Sequence, residues 1–301
     1  MRAVIIGISG TSLTPEEIAL FEATPPTGVI LFSRNVEAPE QLRDLCSELR
    51  AVLPAEAVIS VDQEGGRVQR LRPPHWRGHK AAAEVASEDE AFAIGGAIGA
   101  ECRAAGIDLV FAPVLDRRIP GAHEIIGNRS YGTDTETIVA RARAMAKGLL
   151  AQGVMPCGKH VPGHGRALVD SHLALPKLDR AAPEDIAPFQ ALSWLPWMMT
   201  AHILFEDLDD KPATLSAPVI DSVIRGEIGF DGMLVTDDLG MKALQGTATE
   251  LALQALAAGV DVALACSGQI EEARSLLASV PKLNDNGWRR LRAARRRVAR
   301  L

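Results

Sequence analysis

Two short stretches carry the residue types that proton transfer and nucleophilic attack require. In GKHVPGHGRALVDSHLALP, residues 158 to 176, Asp170 and His172 stand two positions apart. At that spacing a carboxylate can bond one imidazole nitrogen and leave the other free to give and take a proton, as a histidine acid/base needs. The same pair can equally cap a loop, and spacing alone does not choose. In GMLVTDD, Asp237 follows an apolar run, so its carboxylate projects from rigid backbone, where a nucleophile must be held. Its other reading is a cap for a helix through TDDLGMKAL. Asp238 should point elsewhere if strand alternation continues. A carboxylate facing a separate proton donor is the arrangement of a retaining glycosidase, here with histidine in place of the second carboxylate. His160 and His164 have a zinc-binding spacing for a helix, but Pro162 and Gly163 between them argue against a helix, so no metal is expected.

Such groups act together only if one scaffold gathers them. Apolar, β-branched runs recur at 4–8, 28–33, 57–62, 108–112, 154–160, 197–203, 232–237 and 261–266, with helical patterns between them. Eight β-then-α units predict an α/β protein, a single (β/α)8 barrel of the TIM type spanning 1–301 as one catalytic domain. An open doubly wound sheet competes, because periodicity cannot show closure. In a parallel barrel, functional residues gather where strands end. Asp62 ends the third run, Lys159 and His160 the fifth, His202 the sixth, and Asp237 and Asp238 the seventh. Pro162, Gly163 and Gly165 make the segment after the fifth run a long loop.

The helical segments read PEEIALFEA, APEQLRDLCSELRAVL, DEAFAIGGAIGAECRAAG, ETIVARARAMAKGLLAQG and ATELALQALAAG, with Gly106 and Gly259 suited to C-terminal caps. The tail WRRLRAARRRVARL reads as an amphipathic helix with Trp288, Leu291, Val298 and Leu301 near one face and arginines solvating the other. With 301 residues, 47% of them hydrophobic, the chain can bury one large core. A net charge of −6 disfavours nucleic acid and anionic membrane as partners and suits a small, neutral or modestly charged substrate. Cys46, Cys102, Cys157 and Cys266 are scattered, without metal or disulfide spacing, and read as buried thiols of a reducing compartment. The first apolar run is too short for a signal or membrane segment and reads as the opening strand of a cytoplasmic protein.

VDQEGGRVQRL, GNRSYGTD, KHVPGHG with the following DSH, and VTDDLGM, with LFSRN at 31–35 and FAPVLD at 111–116, closely resemble bacterial β-N-acetylglucosaminidases of glycoside hydrolase family 3 that act in peptidoglycan recycling. The resemblance runs over most of the chain in unbroken motif order. It implies that Asp237 forms a glycosyl-enzyme, that His172 is the acid/base and that Asp170 orients it. It implies further that Asp62, Arg70, Arg129, Lys159 and His160 bind the sugar, that no cofactor is needed, and that the partner is a GlcNAc-terminated muropeptide fragment such as GlcNAc-anhydro-N-acetylmuramic acid. Arg67 reads more simply as a loop ion pair and stays outside the site. The chain departs from the family pattern at Val161, where a bulkier residue is frequent, at Gly240, commonly Ser, and at Ser267, frequently Asn.

Related activities remain open at this stage. A β-glucosidase of the same broad family usually draws its acid/base from an additional C-terminal domain, for which this sequence leaves no room after the eighth unit. A β-GlcNAc phosphorylase is the second alternative, since a neutral histidine repels phosphate less than a carboxylate does. A catalytically silent sugar-binding barrel is the third. With imidazole as acid/base, whose reference pKa is about 6.5, activity should peak around neutral pH.

Overall fold

The computed structural model of the chain describes residues 1–298. All eight apolar runs become strands: β1 (Arg2–Gly7), β2 (Pro26–Leu31), β3 (Val58–Val61), β4 (Leu109–Val110), β5 (Met155–Val161), β6 (Trp197–Thr200), β7 (Met233–Val235) and β8 (Ala263–Ala265). They pair in parallel in the order β7-β6-β5-β4-β3-β2-β1-β8. The two ends of that order meet. Val235 and Val262 form a parallel bridge, and the Val262 and Thr236 N–H groups donate to Leu234 O and Val262 O, each at 3.1 Å. A closed ring of consecutive strands excludes the doubly wound sheet, whose order must reverse at a switch point. Helices cover the outside and side chains fill the inside, so the strands are buried on both faces and read as apolar runs without alternation.

The helices are α1 (Pro15–Ala23), α2 (Pro39–Val52), α3 (Glu88–Ala105), α4 (Thr135–Ala151), α5 (Pro183–Ala191), α6 (Val219–Glu227), α7 (Ala248–Ala257), α8 (Ile270–Ser279) and α9 (Asp285–Val298). Thr14 and Thr247 open α1 and α7 as capping boxes with Glu17 and Glu250. Gly106 and Gly259 follow α3 and α7 at φ +91° and +110°, the left-handed conformation in which glycine ends a helix without a Cβ clash. Helices α5, α6 and α8 complete the alternation; α5 contains Pro188, which weakens its sequence pattern, whereas α6 is strongly amphipathic and carries π-type bonding.

The C-terminal helix α9 buries Leu291 and packs Trp288 and Val298 against the core, as its periodicity suggests, while Leu301 lies outside the described residues. Its arginines do more than face solvent, which corrects the simpler expectation. Arg290 pairs with Asp261 at 2.8 Å and with Asp231 at 3.2 Å. Arg295 donates to Glu56 O at 2.9 Å and Ala57 O at 2.6 Å. These partners immediately precede β3, β7 and β8, so α9 covers the N-terminal end of the barrel and leaves the opposite rim for chemistry. The four cysteines are buried, as expected. Among the described residues no helix is long and apolar enough to cross a membrane.

Candidate active site

The rim is built from strand ends and the loops that leave them. Asp62 stands directly after β3, and an antiparallel hairpin of Gln63–Gly65 with Val68–Gln69 folds the chain back so that Arg70 reaches Asp62 Oδ2 at 3.2 Å. Lys159, near the end of β5, donates to Asp62 Oδ1 at 2.9 Å and pairs with Glu64 Oε1 at 2.7 Å. Arg129 closes the row with two parallel bonds to the Glu64 carboxylate, at 2.8 and 2.9 Å. The result is an alternating line of charge, Arg70, Asp62, Lys159, Glu64, Arg129. Burial pushes the two carboxyls up, but the adjacent cations outweigh it and hold both below their ordinary values. Lys159, penalised by burial, is held above its own by Asp62 and Glu64.

A second buried carboxylate organises the floor. Asp116, six residues beyond β4, accepts from the His160 N–H at 3.1 Å and His160 Nδ1 at 2.7 Å on one oxygen, and from the His164 N–H at 2.7 Å on the other. Burial raises its pKa, but His160 and the other donors outweigh it and keep it ionised. An ionised carboxylate only accepts, so His160 Nδ1 carries a proton and Nε2 is directed to Asp237 Oδ2, 3.9 Å away. The register of β5 against β6 shifts between Lys159 and Val161. That break in alternation lets consecutive residues, Lys159 and His160, both face the cleft.

Asp237 follows β7 with 19% of its side chain exposed. Burial works against its charge, yet the imidazoles nearby, the Asp238 N–H at 2.8 Å and Lys159 together lower its pKa. It caps no helix: residues 236–247 contain neither helix nor strand, and α7 is capped by Thr247 instead. Alternation does not persist past Val235, and Asp238 also borders the cleft, contrary to the expectation that it would point away. Its Oδ1 accepts from the Gly240 and Cys266 N–H groups at 3.0 and 3.1 Å, joining the ends of β7 and β8. His202 Nε2 bonds the Asp238 carbonyl at 2.9 Å, and its Nδ1 meets Thr214 Oγ1 at 2.7 Å, so this buried histidine ties the chain after β7 to Thr214.

Residues 162–176 contain neither helix nor strand, as their prolines and glycines predict, and the first turn of the loop is tightly packed. A Cβ at Gly165 would lie 2.0 Å from the Arg117 carbonyl oxygen, so only glycine fits. Further along, Asp170 Oδ1 accepts from both the His172 N–H at 2.8 Å and His172 Nδ1 at 2.9 Å, the pairing that the two-residue spacing suggests. His172 is left with a free Nε2 on a side chain that is 58% exposed. His160 and His164 have ring centroids 5.8 Å apart, are not on a helix, and each bond one ring nitrogen elsewhere, His160 Nδ1 to Asp116 and His164 Nε2 to Ser171.

These groups surround one cleft of about 210 Å3, on the small side of the ~300–1,000 Å3 usual for a small-molecule site. Asp62, Arg70, Arg129, Lys159, His160, His172 and Asp237 line it, and Asp170 stands behind His172. Phe32 lines it too, between the guanidiniums of Arg34 and Arg70 at 4.9 and 5.2 Å from its ring centre. Arg67, left out on sequence grounds as a loop ion pair, borders the cleft and forms no ion pair among the described residues; it donates to Glu124 O and Ile125 O at 2.7 and 2.6 Å. Sequence reading also missed Glu64 and Asp116. Asp116 ends FAPVLD at the fourth strand's exit, a position that could have flagged it, whereas Glu64 had no signal beyond its nearness to Asp62.

An ionised carboxylate on the floor, a histidine with one free nitrogen at the rim and a row of hydrogen-bonding charges between them suit cleavage of a polyhydroxylated substrate. Comparison with known proteins points the same way. The family model described as the glycosyl hydrolase family 3 N terminal domain matches residues 15–301. A protein named beta-hexosaminidase from Alkalilimnicola ehrlichii is 40% identical over 280 residues, which cover 88% of this chain and 80% of that one. Its namesake from Pseudomonas aeruginosa is 37% identical over 286 residues, covering 92% and 86%. Native NagZ from Neisseria gonorrhoeae superposes with a TM-score of 0.83 at 33% identity, over 99% of this chain and 97% of its own. A glycoside hydrolase family 3 beta-N-acetylglucosaminidase from Paenibacillus sp. FPU-7 reaches a TM-score of 0.88 at 34% identity; this chain spans 61% of that longer protein. With a family match over nearly its whole length and a barrel shared from end to end with solved members, the chain belongs to glycosyl hydrolase family 3 and is a glycoside hydrolase.

Proposed function

We propose that the enzyme is a retaining exo-β-N-acetylglucosaminidase that removes terminal β-1,4-linked GlcNAc from peptidoglycan fragments of the GlcNAc-anhydro-N-acetylmuramic acid type, in cytoplasmic cell-wall recycling. The observation that carries this reading is that the ionised Asp237 and the free nitrogen of the Asp170-backed His172 border the same cleft. Support for the sugar comes from relatives named beta-hexosaminidase and from Neisseria gonorrhoeae NagZ solved with N-trifluoroacetyl-D-glucosamine.

In the proposed reaction Asp62, Arg70, Arg129, Lys159 and His160 hold the ring hydroxyls of the terminal sugar, each through a charged or polar group already fixed by a neighbour. Asp237 attacks C1 while protonated His172 gives its Nε2 proton to the departing glycosidic oxygen. The neutral His172 then takes a proton from water, the water oxygen attacks C1 of the glycosyl-aspartate, and GlcNAc leaves with its β configuration retained. Every group of this scheme belongs to one barrel domain, and it calls for no metal or organic cofactor.

The test is Asp237→Ala with an aryl β-GlcNAc substrate. Turnover should fall by orders of magnitude, and a fluorinated GlcNAc analogue should label the wild type at Asp237 and leave the variant unlabelled. Wild-type turnover in the variant would remove Asp237 from the mechanism. Product analysis with and without inorganic phosphate separates hydrolysis from phosphorolysis, and an aryl β-glucoside run in parallel measures the requirement for the N-acetyl group.

A further inference from the structure

We infer that His164 is a positioning residue for proton transfer, acting through its bond to Ser171, which holds the Asp170–His172 pair in register with the cleft. This rests on the reading of His172 as the acid/base given above.

The pair sits on a segment with few attachments. The loop is tied at Ala167, whose carbonyl accepts from the His123 N–H at 2.8 Å, and again at Pro176, whose carbonyl accepts from the Leu204 N–H at 3.0 Å. Between them, among the described residues, Ser171 alone bonds the segment to the rest of the barrel. Its Oγ meets His164 Nε2 at 3.0 Å, and its carbonyl accepts from the Ala243 N–H at 3.2 Å. Ser171 is 3% exposed although it lies between Asp170 and the largely exposed His172. Leu168, Val169 and Leu173 around it are exposed apolar residues that contribute no anchor.

His164 is fixed in its turn. It is 2% exposed, and its N–H donates to Asp116, the carboxylate that also holds His160 against Asp237. One buried carboxylate therefore references both the nucleophile's neighbour and the anchor of the acid/base loop. Burial pushes the His164 pKa down to about 4, so the ring is neutral across the neutral range. Among the described residues its Nδ1 is buried without a partner. An orphaned lone pair costs less than an orphaned N–H, which puts the single proton on Nε2 and makes it the donor to Ser171.

The experiment compares kcat/KM, which reports steps through glycosyl-enzyme formation, on two β-GlcNAc substrates. The 2,4-dinitrophenyl glycoside leaves without proton assistance, and the methyl glycoside needs it. Because a misplacement of about 1 Å can cost ~10²-fold, Ser171→Ala should lower kcat/KM for the methyl glycoside by roughly 30- to 100-fold and change the dinitrophenyl value by less than about 3-fold. Competitive inhibition by GlcNAc should hold, and the melting temperature should fall by no more than the few degrees that one lost buried hydrogen bond explains. His164→Gln, whose amide nitrogen reaches the Nε2 position, should recover most of the loss caused by His164→Leu. His172→Ala should show the same leaving-group dependence with a larger loss, ~10²- to 10⁴-fold. Equal losses on both substrates in Ser171→Ala, or no loss, alongside the expected His172→Ala pattern would overturn the positioning role and leave the acid/base reading intact. A His172→Ala enzyme without leaving-group dependence would overturn both.

Discussion

Replacing Glu64 by glutamine perturbs the charge row at its most committed point. Glu64 has 6% of its side chain exposed and holds Arg129 by two bonds and Lys159 at 2.7 Å. Glutamine keeps the shape but offers one oxygen and one NH2, so at least one of these donors is left facing another donor. Around Asp62 the balance of three cations against two anions becomes three against one. Each charge-assisted bond is worth ~1.5–3 kcal/mol, and removing one partner of a buried ion pair costs ~3–5 kcal/mol. With these side chains 3 to 11% exposed, solvent screens little of this. Unfolding free energy should therefore fall by about 3–5 kcal/mol, read from urea transitions at neutral pH with an unchanged slope. KM should rise as well, because Arg129 and Lys159 lose the carboxylate that aims them. The pH dependence has a defined sign. Burial raises the Glu64 pKa, but Arg129 and Lys159 hold it far below the ordinary 4.5. A depressed carboxyl stabilises the fold fully above its unfolded value and loses that contribution as pH falls through the folded one. The gap between wild type and variant should thus be full at neutral pH and narrow below about 4.5. A loss under ~1 kcal/mol, or a gap that stays constant into acid, would refute the picture of Glu64 as the clamp of this row.

Three further outcomes follow from the same geometry. Asp116→Asn leaves either His160 or the His164 N–H without its acceptor, so stability should drop by ~1–3 kcal/mol and kcat/KM by about 10²-fold; chemical denaturation and steady-state kinetics measure both, and an enzyme with wild-type kinetics would contradict the role given to Asp116. Gly165→Ala sets a methyl carbon 2.0 Å from the rigid Arg117 carbonyl, so the loop must shift, with a cost of ~1–3 kcal/mol and a fall in kcat larger than the rise in KM. Cys46, Cys102 and Cys157 are buried, and burial pushes the Cys46 thiol up to about 12; Ellman's reagent should leave them untouched in the native enzyme and titrate all four thiols in denaturant, whereas prompt native labelling would mean that the core opens.

The amino-acid sequence by itself determined the barrel's strands, and the reason is burial. Strands covered on both faces have few polar positions, so VIIGI, GVILFS and their fellows stand out as largely apolar runs between helices. It also placed Asp62, Lys159, His160 and Asp237 at strand exits, made 162–176 a loop through its prolines and glycines, and put Asp170 and His172 within reach of each other, while the folded loop decided that they pair. Helix α5 is hidden by Pro188, which interrupts its period, whereas α6 and α8 carry amphipathic patterns that their sequences already display.

What only tertiary structure decided is pairing over long separations. Closure of the ring depends on β7 meeting β8, which no periodicity encodes. Glu64 finds Arg129 across 65 residues, and Asp116 finds His160 across 44. In the sequence Glu64 looks like any surface acid, and Asp116 shows only its place beyond a strand exit. The arginines of α9 likewise looked solvent-bound until the barrel's N-terminal end supplied Asp231, Asp261 and two carbonyls. The physical reason is common to all of them. Local sequence sets which backbone conformations are cheap, whereas the charge state and aim of a buried group depend on whichever partner the fold brings within about 3 Å, since an unpaired charge there costs several kcal/mol.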